Sequence, residues 1–373
     1  MLIEERQALR RAMPRLAAIL AEHSLLEAER VGADTLAGWF REYGEPGFLI
    51  QSELGGRGRK LADLVPICSA VAAACPSLGV MMLMHHHTLG ALAFDPLPMP
   101  RARDALADIA RQRWLVGSAF AESRQGIDLL DSSVVCTAEG SGYRLDGSKK
   151  PCTMSHQADL FLVGITDGIG PERSRGLAIV ERRHTRIVVE RFWKQPVLAG
   201  ADNECIRFDG ARVEAGSVLM PAADRNDDAR LRFAVAQSEI TISMIFQTLM
   251  ASSYLGVAAQ LYERSIARSR RVDGDDALMF LACELEAARF AQYRLAQRID
   301  GGAFSGEQLG QAMALSWNAI RRIDALIAEF EGRTELHDDE ECAYLARVCG
   351  MMKRHPPSEQ VRRAVLANCY LPA

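Results

Sequence analysis

The chain's nine cysteines include no CxxC pair, so the spacings of a zinc knuckle and of a dithiol redox centre are both missing. The thiols are odd in number and scattered from Cys68 to Cys369. A chain this long has no need of disulfide staples, so free thiols in a reducing compartment are expected. Basic charge is not in surplus either. Lys and Arg number 44 against 48 Asp and Glu, a formal net charge of −4, which excludes a general nucleic-acid footprint. The first residues, Met1 to Leu16, are charged and lack an unbroken apolar core before a cleavage site, unlike a signal peptide. The apolar run from Leu78 to Met84 falls well short of the ~20 residues that a bilayer span requires. No repeat or low-complexity tract occurs. A cytoplasmic protein with no membrane partner is the expectation. What the chain does have is 373 residues, 49% of them apolar and 25% charged, enough for a large core in two or three domains.

Periodicity divides the chain into helices, then strands, then helices. Leu9, Met13, Leu16 and Leu20 recur at helical spacing, and Leu61 to Ala74 carries a second apolar stripe. A short helix is expected over Arg103 to Arg113, entered through Pro96, Pro98 and Pro100. From Trp114 the pattern shortens. Val134, Cys136, Tyr143 and Leu145 flank a Glu139–Gly142 turn, the signature of a hairpin. Apolar runs follow at 160–165, 177–180, 187–189 and 205–208, so a small, mostly antiparallel β-domain is expected. Long helical periodicity returns over Phe233 to Arg270, Leu278 to Ile299 and Gln308 to Phe330, with Gly256 marking a close helix approach. The expected domains are residues 1–113, 114–223 and 224–373.

Several motifs in order give this layout a specific meaning. Glu53, Gly55, Gly56 and Gly58 match a Glu-x-Gly-Gly-x-Gly loop that opens a helix. Ala121 and Glu122, followed by Gly126, Ile127 and Asp128, match Thr-Glu-x-x-x-Gly-Ser-Asp. Gly147, Lys149 and Thr153, followed by Ala158 and Asp159, match Gly-x-Lys-x-Trp-Ile-Thr and its downstream Ala-Asp. Phe208 to Val213 resembles the exit from the β-domain. Between Glu53 and Val213 the chain therefore resembles the acyl-CoA dehydrogenase family. The resemblance implies an α+β fold: an N-terminal α-helical domain, a middle antiparallel β-domain and a C-terminal four-helix bundle. It implies FAD as cofactor and a homodimer or homotetramer. It places Phe120, Ala121, Gly126, Pro151, Cys152 and Thr153 at the flavin, and Arg271 at a neighbouring subunit's flavin. Glycine at 126 would let backbone approach the cofactor closely, with no Cβ between.

The departures bear on function. Ala121 and Ile127 replace a hydroxyl-bearing Thr and Ser, and Pro151 stands where the family has a tryptophan against the flavin, removing stacking area and an N–H. The family's coenzyme A-gripping Asp-x-x-Arg pair falls near Met244 and Gln247, and an alternative base position falls at Phe246. Ile127, Phe246 and Gln247 are thus the candidate substrate contacts. Aligning Pro357 on the family's proline puts His355 where the base glutamate belongs, with Glu359 just past it. An imidazole can take a proton near neutral pH. The plainer readings are a loop histidine beside two prolines and a helix-start glutamate serving the macrodipole.

His85, His86 and His87 cannot all face one ion from a regular element, and no Cys, Asp or Glu lies close in sequence. They are read as a helix-end cluster near a substrate mouth, with no metal. The expected activity is α,β-dehydrogenation of an acyl thioester, carried by coenzyme A or a carrier protein in a specialised biosynthetic pathway, by a flavoenzyme with an altered base. A flavin-dependent monooxygenase on the same fold is one alternative. A non-catalytic member acting as a structural or partner subunit is another.

Overall fold

The computed structural model describes residues 1–94, 99–122, 132–168, 173–221, 229–268, 276–302, 304–333, 338–355 and 358–371. The first apolar stripe is split in two. Pro14 has no N–H for a continuing helix, so α1 (Ile3–Ala12) ends at Met13 and α2 (Pro14–Ala21) starts afresh. Leu9, Met13, Leu16 and Leu20 are buried nonetheless. After α3 (Leu25–Arg30) and α4 (Ala33–Tyr43) comes the three-glycine loop. A Cβ on Gly56 would lie 2.1 Å from the Ile50 carbonyl oxygen, so only glycine fits there. The loop leads into α5 (Leu61–Ala74), then α6 (Pro76–Phe94) and α7 (Pro100–Gln112). α5 and α6 are apolar on nearly every side, and both are core helices. The three histidines lie inside α6 rather than at its end, because the chain stays helical for seven residues beyond His87.

Among the described residues, eight strands form one sheet: β1 (Val116–Ala119), β2 (Val135–Glu139), β3 (Gly142–Cys152), β4 (Leu160–Thr166), β5 (Arg175–Glu181), β6 (Ile187–Glu190), β7 (Glu204–Glu214) and β8 (Val218–Leu219). Their order is β6-β7-β3-β2-β4-β5-β8, with β1 beside β4. The sheet is mostly antiparallel, as expected, with two parallel pairings. β1 runs parallel to β4 from Val116↔Leu160 to Ala119↔Val163, and β2 meets β4 in parallel at Val135↔Thr166. β1 arrives from the helical layer rather than through a hairpin, so no turn forces it to reverse. The expected hairpin is present as β2–β3.

The C-terminal helices are α8 (Ala229–Arg268), α9 (Asp276–Asp300), α10 (Gly306–Glu331), α11 (Glu340–Met351) and α12 (Glu359–Tyr370). α8 packs against α9, α10 and α11, and α12 adds a fifth helix against α10. α8 is long and apolar enough to cross a membrane by length and composition, but 94% of its most apolar window is buried inside this fold. It also crosses α5 and α6. At the α5 crossing a Cβ on Gly256 would sit 2.2 Å from the Ser69 carbonyl oxygen, and the Ser69 hydroxyl donates to the Ser252 carbonyl at 2.8 Å. The expected close approach at Gly256 is therefore between α8 and the N-terminal helices.

Candidate active site

One side of the site is built where β1 and β3 end together. The Lys150 N–H donates to the Ala121 carbonyl at 2.8 Å, and the Cys152 thiol donates to the Ser118 carbonyl at 3.4 Å. Phe120, Ala121, Pro151, Cys152 and Thr153 therefore share one ledge. A buried ion pair underpins it. Lys149, 1% exposed, donates to Glu122 at 2.6 Å, to the Ser132 hydroxyl at 2.9 Å and to the Phe120 carbonyl at 3.4 Å. The Ser133 N–H adds a donor to the same Glu122 oxygen at 2.6 Å. Burial alone would raise the Glu122 carboxyl, but Lys149 and these donors hold it below its ordinary range. Thr153 donates its hydroxyl to Asn203 Oδ1 at 2.7 Å. The Asn203 amide is oriented by its own donation to the Leu198 carbonyl at 3.2 Å.

The other side comes from helices. The β1 side chain Ser118 meets His87 of α6 at 3.2 Å. The Leu83 carbonyl can only accept, so His87 carries its proton on Nδ1, and Nε2 accepts from Ser118. The His87 ring lies edge-on to Phe246 of α8 at 5.2 Å, and Phe246 lies 6.2 Å from the ring of His355. His355 Nε2 is 2.7 Å from the hydroxyl of Tyr254, one helix segment along α8. Burial lowers His87 and His355 to about 4, so both rings are neutral at pH 7. Burial pushes the Tyr254 phenol and the Cys152 thiol up, keeping both protonated. The line from Cys152 through Ser118, His87 and Phe246 to His355 and Tyr254 is uncharged throughout.

His85 and His86 do not join this line. The Val116 N–H donates to His85 Nδ1 at 2.9 Å, and His85 Nε2 donates to the Pro46 carbonyl at 2.9 Å, so this ring ties the helical layer to the sheet. His86 is fully buried among Phe40, Phe48 and His85, and neither ring nitrogen has a partner among the described residues. Among the described residues no group of three His, Cys, Asp or Glu is placed to hold a metal ion.

Of the sequence candidates, His355 and Phe246 meet on the helix side. Gln247 is buried in α8 beside Phe246 in the chain, and Met244 is likewise buried. Glu359 stands apart: it is exposed in the first turn of α12 with its carboxylate on Arg363 of the same helix at 2.6 Å. Its place in the first turn of α12 fits the helix-start reading. Gly126, Ile127 and Arg271 lie outside the described residues. Ser118, Tyr254 and Asn203 had no motif to mark them. They are found only through long-range contacts, with 101 residues separating Tyr254 from His355.

No family model matches the chain. Isobutylamine N-hydroxylase of Streptomyces viridifaciens is 30% identical over 362 residues, covering 94% of this chain and 93% of that protein. The FMN-bound structure of TdsC from Paenibacillus sp. A11-2, a dibenzothiophene monooxygenase, superposes with a TM-score of 0.82 at 20% identity, over 98% of this chain and 97% of that one. Butyryl-CoA dehydrogenase of Megasphaera elsdenii superposes with a TM-score of 0.79 at 15% identity, over 99% and 98%. The full-length match to the hydroxylase, on a fold shared with the dehydrogenase, makes this chain a divergent member of the acyl-CoA dehydrogenase family of flavoenzymes.

Proposed function

We propose that this protein is a flavin-dependent monooxygenase that N-hydroxylates a small primary amine. The observation that carries the reading is His355. Removing the α-proton of a thioester calls for a base matched to the working pH. A half-buried ring with its affinity for protons lowered to about 4 by desolvation is a poor one. The loss of charge at Met244 and Gln247, where the family grips coenzyme A, points the same way. The similarity to isobutylamine N-hydroxylase and to TdsC supports oxygen transfer over dehydrogenation.

A flavin ring fits the residues present. It is flat, largely uncharged and rimmed with hydrogen-bonding groups. The ledge of Phe120, Ala121, Cys152 and Thr153 offers backbone, a hydroxyl and apolar surface, and the Lys149–Glu122 pair behind it is already neutralised. When bound and reduced, the flavin would supply two electrons and activate dioxygen; TdsC holds FMN, and FAD is the family expectation. The net reaction is R–NH2 + O2 + reduced flavin → R–NHOH + H2O + oxidised flavin. The protein's part is positioning and exclusion. An amine attacks oxygen only through a free lone pair, so it must be neutral. The line of His87, Phe246 and His355 carries no charge that would hold an ammonium ion. Phe246, 5.2 Å from the His87 ring and 6.2 Å from the His355 ring, would keep water from the space between the two imidazoles, and His355 would meet the bound molecules as a neutral ring.

The test mixes the protein anaerobically with reduced FAD or FMN and isobutylamine, then admits oxygen and measures hydroxylamine. His355→Ala should lower the product rate by about 10²-fold, the low end for a positioned proton-handling group. Reduction of bound flavin by butyryl-CoA, with no amine oxygenated, would overturn the reading in favour of thioester dehydrogenation. A protein that retains neither flavin would be the non-catalytic alternative.

A further inference from the structure

We propose that Tyr254 is a positioning residue that holds His355 as its Nδ1–H tautomer, so that the ring meets the site as a hydrogen-bond donor. Tyr254 sits at the middle of α8, 2% exposed. Its phenol must place its hydrogen somewhere, since a buried hydroxyl without an acceptor is penalised by its full desolvation. Among the described residues its partner is His355 Nε2, at 2.7 Å. The phenol therefore donates and Nε2 accepts, which leaves the ring proton on Nδ1. The reverse arrangement, with Nε2–H donating to the phenol oxygen, would strand the phenolic hydrogen in the core.

The packing supports one orientation. The Tyr254 and His355 rings meet nearly edge to face, 5.3 Å apart at 67°, and Phe246 approaches the imidazole at 6.2 Å. Burial favours neutral His355 and neutral Tyr254 alike, so the contact holds one proton between two uncharged groups. Among the described residues Nδ1 has no partner, and it is the nitrogen left for a bound molecule. His87 differs. Its Nδ1–H is taken by the Leu83 carbonyl and its Nε2 by Ser118, so both nitrogens are occupied within the protein. Of the two imidazoles flanking Phe246, His355 is the one with a donor to offer. What that N–H does in turnover rests on the oxygenase reading; the tautomer itself does not.

The test uses the flavin-free full chain labelled with ¹⁵N-histidine. Long-range ¹H–¹⁵N correlation at pH 7.5 reports which nitrogen of each ring is protonated, and His355→Gln assigns the signal. The expected wild-type pattern is a single Nδ1–H tautomer. Tyr254→Phe keeps the ring's packing and removes the donor. It should move His355 to a mixture or to the Nε2–H form that free imidazole prefers, while the other histidines keep their patterns. A wild-type Nε2–H or cationic His355, or a tautomer unmoved in Tyr254→Phe, would overturn the proposal. Hydroxylamine formation is measured on the same two proteins. A confirmed tautomer without oxygenation removes the functional reading alone, and oxygenation with the wrong tautomer removes this one alone.

Discussion

The two sides of the site are built by opposite means. The sheet side rests on a buried ion pair with its hydrogen bonds supplied from Ser132, Ser133 and Phe120. The helix side rests on ring-to-ring packing and on the single phenol–imidazole contact of Tyr254 and His355. Charge network and aromatic packing fail differently. The first tolerates no missing partner, whereas the second tolerates the loss of a contact but not the arrival of a proton. On the proposed reading, a ledge that holds a cofactor in one place gains from the first kind of wall, and a surface that stays neutral toward a reacting amine gains from the second.

The largest expected effect breaks the sheet side. Lys149→Met strands the Glu122 carboxylate in the core and should cost about 3–5 kcal/mol in chemical unfolding. Adding Glu122→Gln to the same chain should recover a good part of the loss. An effect below about 1 kcal/mol for the single variant would show the pair to be solvated like a surface ion pair, and the contrast between the walls would disappear.

Acid should separate the two walls. His85, His87 and His355 are lowered to about 4 in the fold, against 6.5 for an unperturbed ring. Below pH 6.5 the unfolded chain takes up protons that the native chain resists. Stability conferred by the neutral rings is therefore complete above 6.5 and is lost as pH falls toward 4, by up to about 1.4 kcal/mol per pH unit for each ring. Glu122, held below its ordinary 4.5, keeps its contribution down to that pH and loses it only below. Unfolding midpoints measured from pH 7.5 to 4 should already fall between 6.5 and 5, and His87→Gln should flatten that slope. A flat profile down to pH 5 would show the rings to be hydrated.

The smallest effect is at Glu359. Its partner is one turn away on an exposed face, so Glu359→Gln should change stability by less than about 0.5 kcal/mol and leave hydroxylamine formation unchanged. A large loss of activity would restore it as a catalytic candidate and redraw the helix wall.

The same division decided what could be read in the sequence. The ledge was legible because its residues lie in two short motifs, around Glu122 and around Lys149, whose order and spacing are local. α5 was read to its boundaries because a mostly apolar run between a glycine loop and Cys75 admits few alternatives. The helix wall was only half legible. Phe246 and His355 came from aligning positions, but Tyr254 and Ser118 are ordinary in their own segments and gain meaning only when α8, α6 and β1 meet. Glu359 carried two readings because helix-start glutamates and bases look alike without a fold around them. The parallel entry of β1 was missed since four residues, Val116–Ala119, carry no alternation to show a direction.

His85 has a consequence for how the chain assembles. One imidazole joins the Pro46 carbonyl, 39 residues before it, to the Val116 amide, 31 residues after it. Two loops must close on α6 before both bonds exist, and each closure spends chain entropy in advance of any return. Loop entropy therefore predicts a clamp that engages late, after the helical layer and the first strand have found each other. Damage to such a clamp shows in how quickly the folded chain lets go, and scarcely in how quickly it forms.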